Sequence, residues 1–305
     1  MNANTRPDNP MRLLHPEVLA SLSNLDLVAR SVVDGVMMGM HRSPNFGFSQ
    51  EFEEYRQYAE GDDIRFIDWN VFARSERTYI KRFRGETNAP LTILVDASAS
   101  MGFQSEAASV SKMQYAKYLA ASLAYLATRQ RDAVGMMTFD QDIREFRRPS
   151  SKTGQLQAIL HALDATEASA ATSLEQPLQQ IGATSGKRGM VALISDFYCA
   201  DDSLLDAVKP LVIQGQDLIL FQILDPVEIK PDFSQAKLVK DPESGATIEV
   251  SAKFMQKEYP AIMQSHIDRL KDAAGRSRAD HVVMNTAHPL NQGLHEYLTL
   301  SLIHI

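Results

Sequence analysis

Five oxygen-bearing side chains stand where short apolar runs stop. The run "LTILVD" ends in Asp96, and two serine hydroxyls, Ser98 and Ser100, follow at alternate positions in "DASAS". The run "GMVALISDF" carries Asp196 near its end, and Thr172 lies in a Ser/Thr/Ala-rich stretch just before a helical pattern. Two carboxylates and three hydroxyls offer oxygen donors only, which suits a hard cation such as Mg²⁺, with Mn²⁺ or Ca²⁺ as alternatives. Neutral hydroxyls would leave much of the charge on such an ion uncompensated, so it would still attract a carboxylate from another molecule. Each residue also has a structural reading. A strand-end aspartate serves equally as a helix cap or turn residue, Asp201 or Asp202 can cap the helix that follows Asp196, and Ser173 competes with Thr172.

Other chemistries find less support. A strand-end Asp beside Mg²⁺ resembles the haloacid-dehalogenase phosphatases, but these use a second Asp two residues later as acid and base. That position here is Ser98, which cannot exchange protons near neutral pH. There is no Gly-x-Ser-x-Gly elbow and no Gly-x-x-x-x-Gly-Lys-Ser/Thr phosphate loop. The expectation is a protein without catalytic residues, with a Mg²⁺-dependent hydrolase or phosphatase as the alternative. Cys199 is the sole cysteine, which excludes an internal disulfide and a multi-cysteine metal site; it reads as a small buried filler or a reactive thiol. Eight histidines are present without one His-x-x-x-His pair, and His41 has no second histidine at helical ligand spacing, so zinc is not indicated.

The elements that must position the oxygen atoms are legible from hydrophobic period. The 305 residues, 44% hydrophobic and 23% charged, suffice for one large core with an accessory segment. Short apolar runs alternate with amphipathic helical patterns from Pro90 onward, predicting an α/β fold with a doubly wound, mostly parallel sheet. The strand candidates are "LTILVD", "AVGMMTFD", "GMVALISDF", "DLILFQILD" and "HVVMNTA". Ala116, Leu119, Ala120, Leu123, Leu126 and Ala127 share a helical face, and further helices are expected over 153–163, 174–181, 201–214, 261–274 and 289–303. The strands are apolar throughout rather than alternating, so helices must cover both faces. The carboxyl ends of such strands form the crevice where ligands bind, which is where "DASAS" falls.

Upstream, Leu19, Leu22, Leu25, Val28, Val32 and Val36 mark one helix over 16–40. The stretch 46–86 reads as extended and irregular with short strands, among them "TYIKRF". The division expected is 1–88, a helix and accessory segment packed on the core, and 89–305, the α/β domain, with a β-hairpin inserted near 236–250 in "KLVKDPESGATIEV". The net charge of −7 gives no global attraction to nucleic acid or anionic membrane. The basic run "KRFR" with Arg74 and Arg77 reads as a solvated strand or a phosphate contact, which leaves nucleic-acid binding as the lesser alternative. The amino terminus lacks an apolar stretch behind a basic start, and no window approaches a membrane span, so a cytoplasmic location is expected.

Two resemblances sharpen these expectations. "DASAS" resembles the Asp-x-Ser-x-Ser element of von Willebrand factor A domains, whose metal-ion-dependent adhesion site adds a later Thr and a later Asp. "TSLEQPL" sets Thr172 six residues before Leu178, the spacing of that family, and Asp196 ends an apolar strand as the later Asp does. The resemblance implies direct ligation by Ser98 and Ser100, ligation by Thr172 directly or through water, and roles through bound water for Asp96 and Asp196. Ala99 stands where relatives often have Gly, which leaves the ligand positions intact.

The segment "GMHRSPNFGFSQEFEEYRQYAEGDDIRFIDWNVFARSERTYIKRFRGET" resembles the signature of the bacterial domain-of-unknown-function 58 family. The matching residues include Gly39, His41, Ser43, Glu51, Phe52, Arg56, Tyr58, Asp62, Asp63, Arg65, Asp68, Trp69 and Arg74. Asp62, Asp63, Arg65, Asp68 and Arg74 can form an ion-pair network around Trp69, either locking the accessory segment to the core or presenting a binding surface. This chain resembles the shorter subgroup without membrane-spanning segments, often encoded beside a MoxR-type AAA+ ATPase. The resemblance therefore implies a Mg²⁺-dependent protein-binding adaptor or assembly factor, with that ATPase as a partner.

Overall fold

The computed structural model describes residues 15–22, 24–41, 52–58, 71, 72, 74, 77–83, 90–169, 171–184, 188–198, 202–231, 237–240, 245–291, 293–295 and 298. The chain divides into two compact units, one formed by Met1–Gly39 with Ala89–Ile305 and the other by Met40–Asn88. In the smaller unit, β1 (Phe52–Gln57) pairs antiparallel with β2 (Tyr79–Phe83).

The larger unit is built on a six-stranded sheet. Its strands are β3 (Leu91–Asp96), β4 (Val134–Phe139), β5 (Ile143–Ser150), β6 (Gly189–Ser195), β7 (Gln216–Leu224) and β10 (Ala279–Asn285), and they lie side by side in the order β10-β7-β6-β3-β4-β5. All pairings are parallel except β4 with β5. Every residue of β3, β4 and β6 is buried, as strands covered on both faces must be. The fold is thus α/β with a mostly parallel sheet, as the alternation of patterns predicts. Sequence period did not anticipate β5. Its "IREFRRPS" carries four arginine or glutamate side chains and a proline, and only an edge strand with one solvated side tolerates that composition. Gly135 lets β5 approach, because a Cβ there would fall 2.6 Å from the Pro149 nitrogen and 2.7 Å from the Arg147 carbonyl oxygen.

Helices cover the sheet. The first helical pattern breaks in two, α1 (Pro16–Ala20) and α2 (Leu25–His41), so the single helix expected over 16–40 is corrected. Asn24 explains the break: its Oδ1 accepts the Leu27 N–H at 2.9 Å and starts a new helix. Val28, Ala29, Val32, Val33 and Val36 then form the buried stripe of α2, which groups with the sheet unit rather than with Met40–Asn88. α3 (Lys112–Arg129) packs on β3, β4 and β7, with Ser111 capping its start by accepting the Gln114 N–H. Asp34 of α2 reaches Arg129 of α3 at 2.8 Å.

Next come α4 (Gln155–Asp164), α5 (Glu175–Thr184), α6 (Asp202–Ile213), the single turn α7 (Pro226–Ile229) and α8 (Tyr259–Arg276). Leu178 and Ile181 of α5, Val208 and Leu211 of α6 and Leu270 of α8 meet Leu94, Leu193 and Leu220 of the sheet in one apolar layer. Near the carboxyl terminus Leu290, Leu294 and Leu298 are buried at helical spacing. β8 (Lys237–Lys240) and β9 (Thr247–Val250) pair antiparallel as a separate hairpin.

Candidate functional site

Parallel strands deliver their carboxyl ends to one edge of the sheet, and four neighbouring strands here end in, or are followed by, an aspartate. Asp96 closes β3, Asp140 follows β4, Asp196 follows β6 and Asp225 follows β7. All four are buried. Each accepts a backbone N–H from two residues further on: Ser98 to Asp96 at 2.8 Å, Asp142 to Asp140 at 3.1 Å, Tyr198 to Asp196 at 3.3 Å and Val227 to Asp225 at 2.9 Å. This local turn is the structural role the sequence suggested for such residues. The remaining carboxylate oxygen of each distinguishes them.

Around Asp96 the partners are hydroxyls. β3 and β6 are adjacent, so Ser195 donates to Asp96 Oδ2 at 2.6 Å, and Thr172 donates to the same oxygen at 3.1 Å. The loop beyond Asp96 is pinned on both sides: the Ala97 N–H donates to the Phe139 carbonyl at 2.6 Å, and its carbonyl accepts the Ser169 N–H at 2.8 Å. Ala99–Gly102 then closes a short 3₁₀ turn that sets the Ser98 and Ser100 hydroxyl oxygens 3.1 Å apart, both residues buried. Burial, with the charge of Asp196 adding to it, pushes the Asp96 carboxyl up to about 6 against hydrogen bonds from Ser195 and Ser98.

Asp196 has a different partner. Its Oδ2 accepts a hydrogen bond from the Lys112 ammonium at 2.8 Å, and the same ammonium reaches Glu228 Oε1 at 2.7 Å. Burial opposes the charge on Lys112, yet the two carboxylates outweigh it and raise its pKa above the ordinary lysine value. Phe197, buried beside Asp196, takes φ of +60°, a left-handed conformation uncommon outside glycine that tends to accompany functional turns.

Of the residues singled out by sequence, Asp96, Ser98, Ser100 and Thr172 join one hydrogen-bonded cluster, and Asp196 lies close enough for its charge to act on Asp96. Thr172, rather than Ser173, supplies the hydroxyl; Ser173 instead donates its N–H to the Asp140 carbonyl. Asp62, Asp63, Arg65, Asp68 and Trp69 lie outside the described residues, as does Cys199, while Arg74 is exposed in the smaller unit. Sequence reasoning missed Ser195, Lys112 and Glu228. A signal existed for Lys112, which falls in register with Ala116, Leu119, Ala120 and Leu123 on an otherwise apolar helical face.

The donor set can be weighed against a cation. Among the described residues no group of three or more His, Cys, Asp or Glu side chains stands ready to hold a metal, so hydroxyls would have to do much of the holding. The hydroxyls are present and clustered, every donor is oxygen, and Asp96, Asp196 and Glu228 outnumber the one ammonium among them. These residues fit a hard divalent ion.

A mostly parallel six-stranded sheet covered by helices, with oxygen-bearing side chains at its carboxyl edge, defines an α/β protein. Residues 54–268 match the family described as "Protein of unknown function DUF58", and the chain belongs to it. "Uncharacterized protein Mb1516" of Mycobacterium bovis and "Uncharacterized protein Rv1480" of Mycobacterium tuberculosis are each 26% identical over 244 residues, 77% of this chain and 74% of theirs. Among solved structures, BatB from Bacteroides thetaiotaomicron is similar over 68% of this chain and 96% of its own, with 15% identity and a TM-score of 0.46. The SpRpn10 VWA domain is similar over 68% and 93%, with 13% identity and a TM-score of 0.39. Among the described residues no helix is long and apolar enough to cross a membrane.

Proposed function

We propose that this chain is a non-enzymatic protein-binding module that captures a partner carboxylate through a divalent cation at the carboxyl edge of its sheet. Ser98, Ser100 and Thr172 would hold the ion, with Asp96 and Asp196 orienting the cluster. A cation bound there supplies a positive charge that neutral hydroxyls leave largely uncompensated, and an acidic side chain from outside completes it. The single observation that carries this reading is the cluster itself: three ligand-type hydroxyls and a carboxylate, drawn from segments 76 residues apart, are tied by hydrogen bonds at one strand end. Asp96 supports a positioning role over a nucleophilic one, because both its oxygens already accept hydrogen bonds from the protein.

A single carboxylate contact is too small for a stable complex, so the surrounding loops must add an interface of roughly 1,000 Å². The partner class we propose is a protein, with a MoxR-type AAA+ ATPase as the specific candidate. Affinity capture of that ATPase with and without chelator tests the reading. Retention that needs Mg²⁺ and disappears in Ser98→Ala/Ser100→Ala is the expected result; retention indifferent to both sinks it.

A further inference from the structure

Lys112 occupies a position where an amphipathic helix calls for an apolar residue, and its side chain is fully shielded from solvent. An ammonium in such a place is costly unless paired. Its two carboxylate partners come from different elements, Asp196 after β6 and Glu228 in α7. The rings of Tyr198 and Phe103 stand 4.8 Å and 5.9 Å from its nitrogen. Glu228 is held in turn, its Oε2 accepting the Asp225 N–H at 2.8 Å, and Asp225 Oδ2 accepts the Ser105 N–H at 2.9 Å. Ser105 continues the loop that carries Ser98 and Ser100, and at the other end of the chain of contacts the charge of Asp196 acts on Asp96.

Filling space does not require this arrangement, since an unbranched apolar side chain of similar length would fit the same helix face without desolvating a charge. The consequence of the ammonium is electrostatic. It takes Asp196 Oδ2, while the Tyr198 N–H takes Oδ1, so both oxygens of Asp196 are committed to the protein. Of these two aspartates beside the hydroxyls, Asp96 has no cationic partner among the described residues on either oxygen.

We infer that Lys112 is a specificity-determining residue of the cation site, withholding Asp196 from direct contact with an ion and lowering the negative charge that the hydroxyl cluster presents. The inference rests on reading that cluster as a divalent-cation site. With Lys112 in place an ion is held weakly and keeps its attraction for an outside carboxylate. Without it, Asp196 is released and one more negative charge faces the ion.

The test is calorimetric titration of the full chain with Mn²⁺, paired with thermal unfolding with and without Mn²⁺. Lys112→Met should bind Mn²⁺ at least about tenfold more tightly, because one unit charge a few ångströms away through protein shifts the energy of an ion by more than that factor. It should melt lower without the ion, and Mn²⁺ should raise its melting temperature more than it raises the wild type's. Glu228→Gln, which removes a negative charge and can keep only one of the two hydrogen bonds Glu228 accepts, should bind about tenfold more weakly, and Lys112→Arg should stay near wild type. A purely structural lysine would weaken binding in Lys112→Met and Glu228→Gln alike, and that result overturns the inference. Should Lys112→Met fail to fold, unchanged or tighter binding in Glu228→Gln overturns it equally.

Wild-type binding that survives Ser98→Ala/Ser100→Ala contradicts the cation site itself rather than the role of Lys112. Binding seen in Lys112→Met but not in wild type supports the withholding role, and binding in neither overturns both.

Discussion

Asp96 and Asp140 end neighbouring strands, share the same backbone turn and are both buried, yet their second oxygens meet opposite chemistry. Asp140 Oδ2 pairs with the Arg144 guanidinium, which also reaches Ser169 and so ties down the segment leading to Thr172. Asp96 Oδ2 meets two hydroxyls and, among the described residues, no cation. Asp225 resembles neither, with backbone N–H groups from Ser105 and Val227 on its two oxygens. Asp96 is set apart from the other strand-end carboxylates by what it lacks. Asp140, Asp196 and Asp225 are satisfied by an arginine, a lysine and backbone donors, whereas Asp96 is left with partners that can themselves turn toward a ligand.

The largest effect is expected from charge removal at Asp96. Its folded-state pKa of about 6 lies above the ordinary 3.8, so the folded protein holds a proton more firmly than the unfolded chain does. The contribution is present in full below pH 4 and is lost as pH rises toward 6, a change of roughly 3 kcal/mol, since each tenfold difference in proton affinity between the folded and unfolded chain is worth about 1.4 kcal/mol. Urea midpoints of metal-stripped protein should follow that slope in wild type, and Asp96→Asn should flatten it between pH 4 and 6. An identical slope in both would place the proton elsewhere.

Asp225→Ala removes a helix cap and the anchor of Ser105, at a cost of about 2 kcal/mol in chemical denaturation. Arg144→Met leaves Asp140 without its cation; since the guanidinium is part-exposed, the cost should be nearer 1 kcal/mol, with Mn²⁺ affinity reduced through the loosened Thr172 segment. Smallest in stability is Ser98→Ala/Ser100→Ala, expected to change folding by under about 1 kcal/mol because no core contact or ion pair is lost.

Much of this was legible in the sequence. The parallel strands announced themselves as apolar runs because both their faces are covered, and the edge position of "DASAS" followed from where such strands end. Asp196 was read from its strand end and Thr172 from the resemblance to von Willebrand A domains, with Ser173 as the competitor; β6 lies beside β3, which sets Asp196 near Asp96. The arginine-rich edge strand β5 was not legible, since half-solvated edge strands lose the apolar pattern that marks central ones. Nor was the break before α2, where one asparagine cap interrupts an unbroken hydrophobic period. Lys112 escaped for a related reason: a lysine on a helix reads as solvent-facing, and only its partners after β6 and in α7, remote in sequence, make it internal.

Calorimetric titration of Mg²⁺ into the metal-stripped chain and its Ser98→Ala/Ser100→Ala variant, each checked by circular dichroism, tests the central claim most directly. One ion per wild-type chain and no detectable heat in an equally folded variant is the predicted result. Equal binding by the two, or none by the wild type at millimolar Mg²⁺ and none by Lys112→Met, would contradict it.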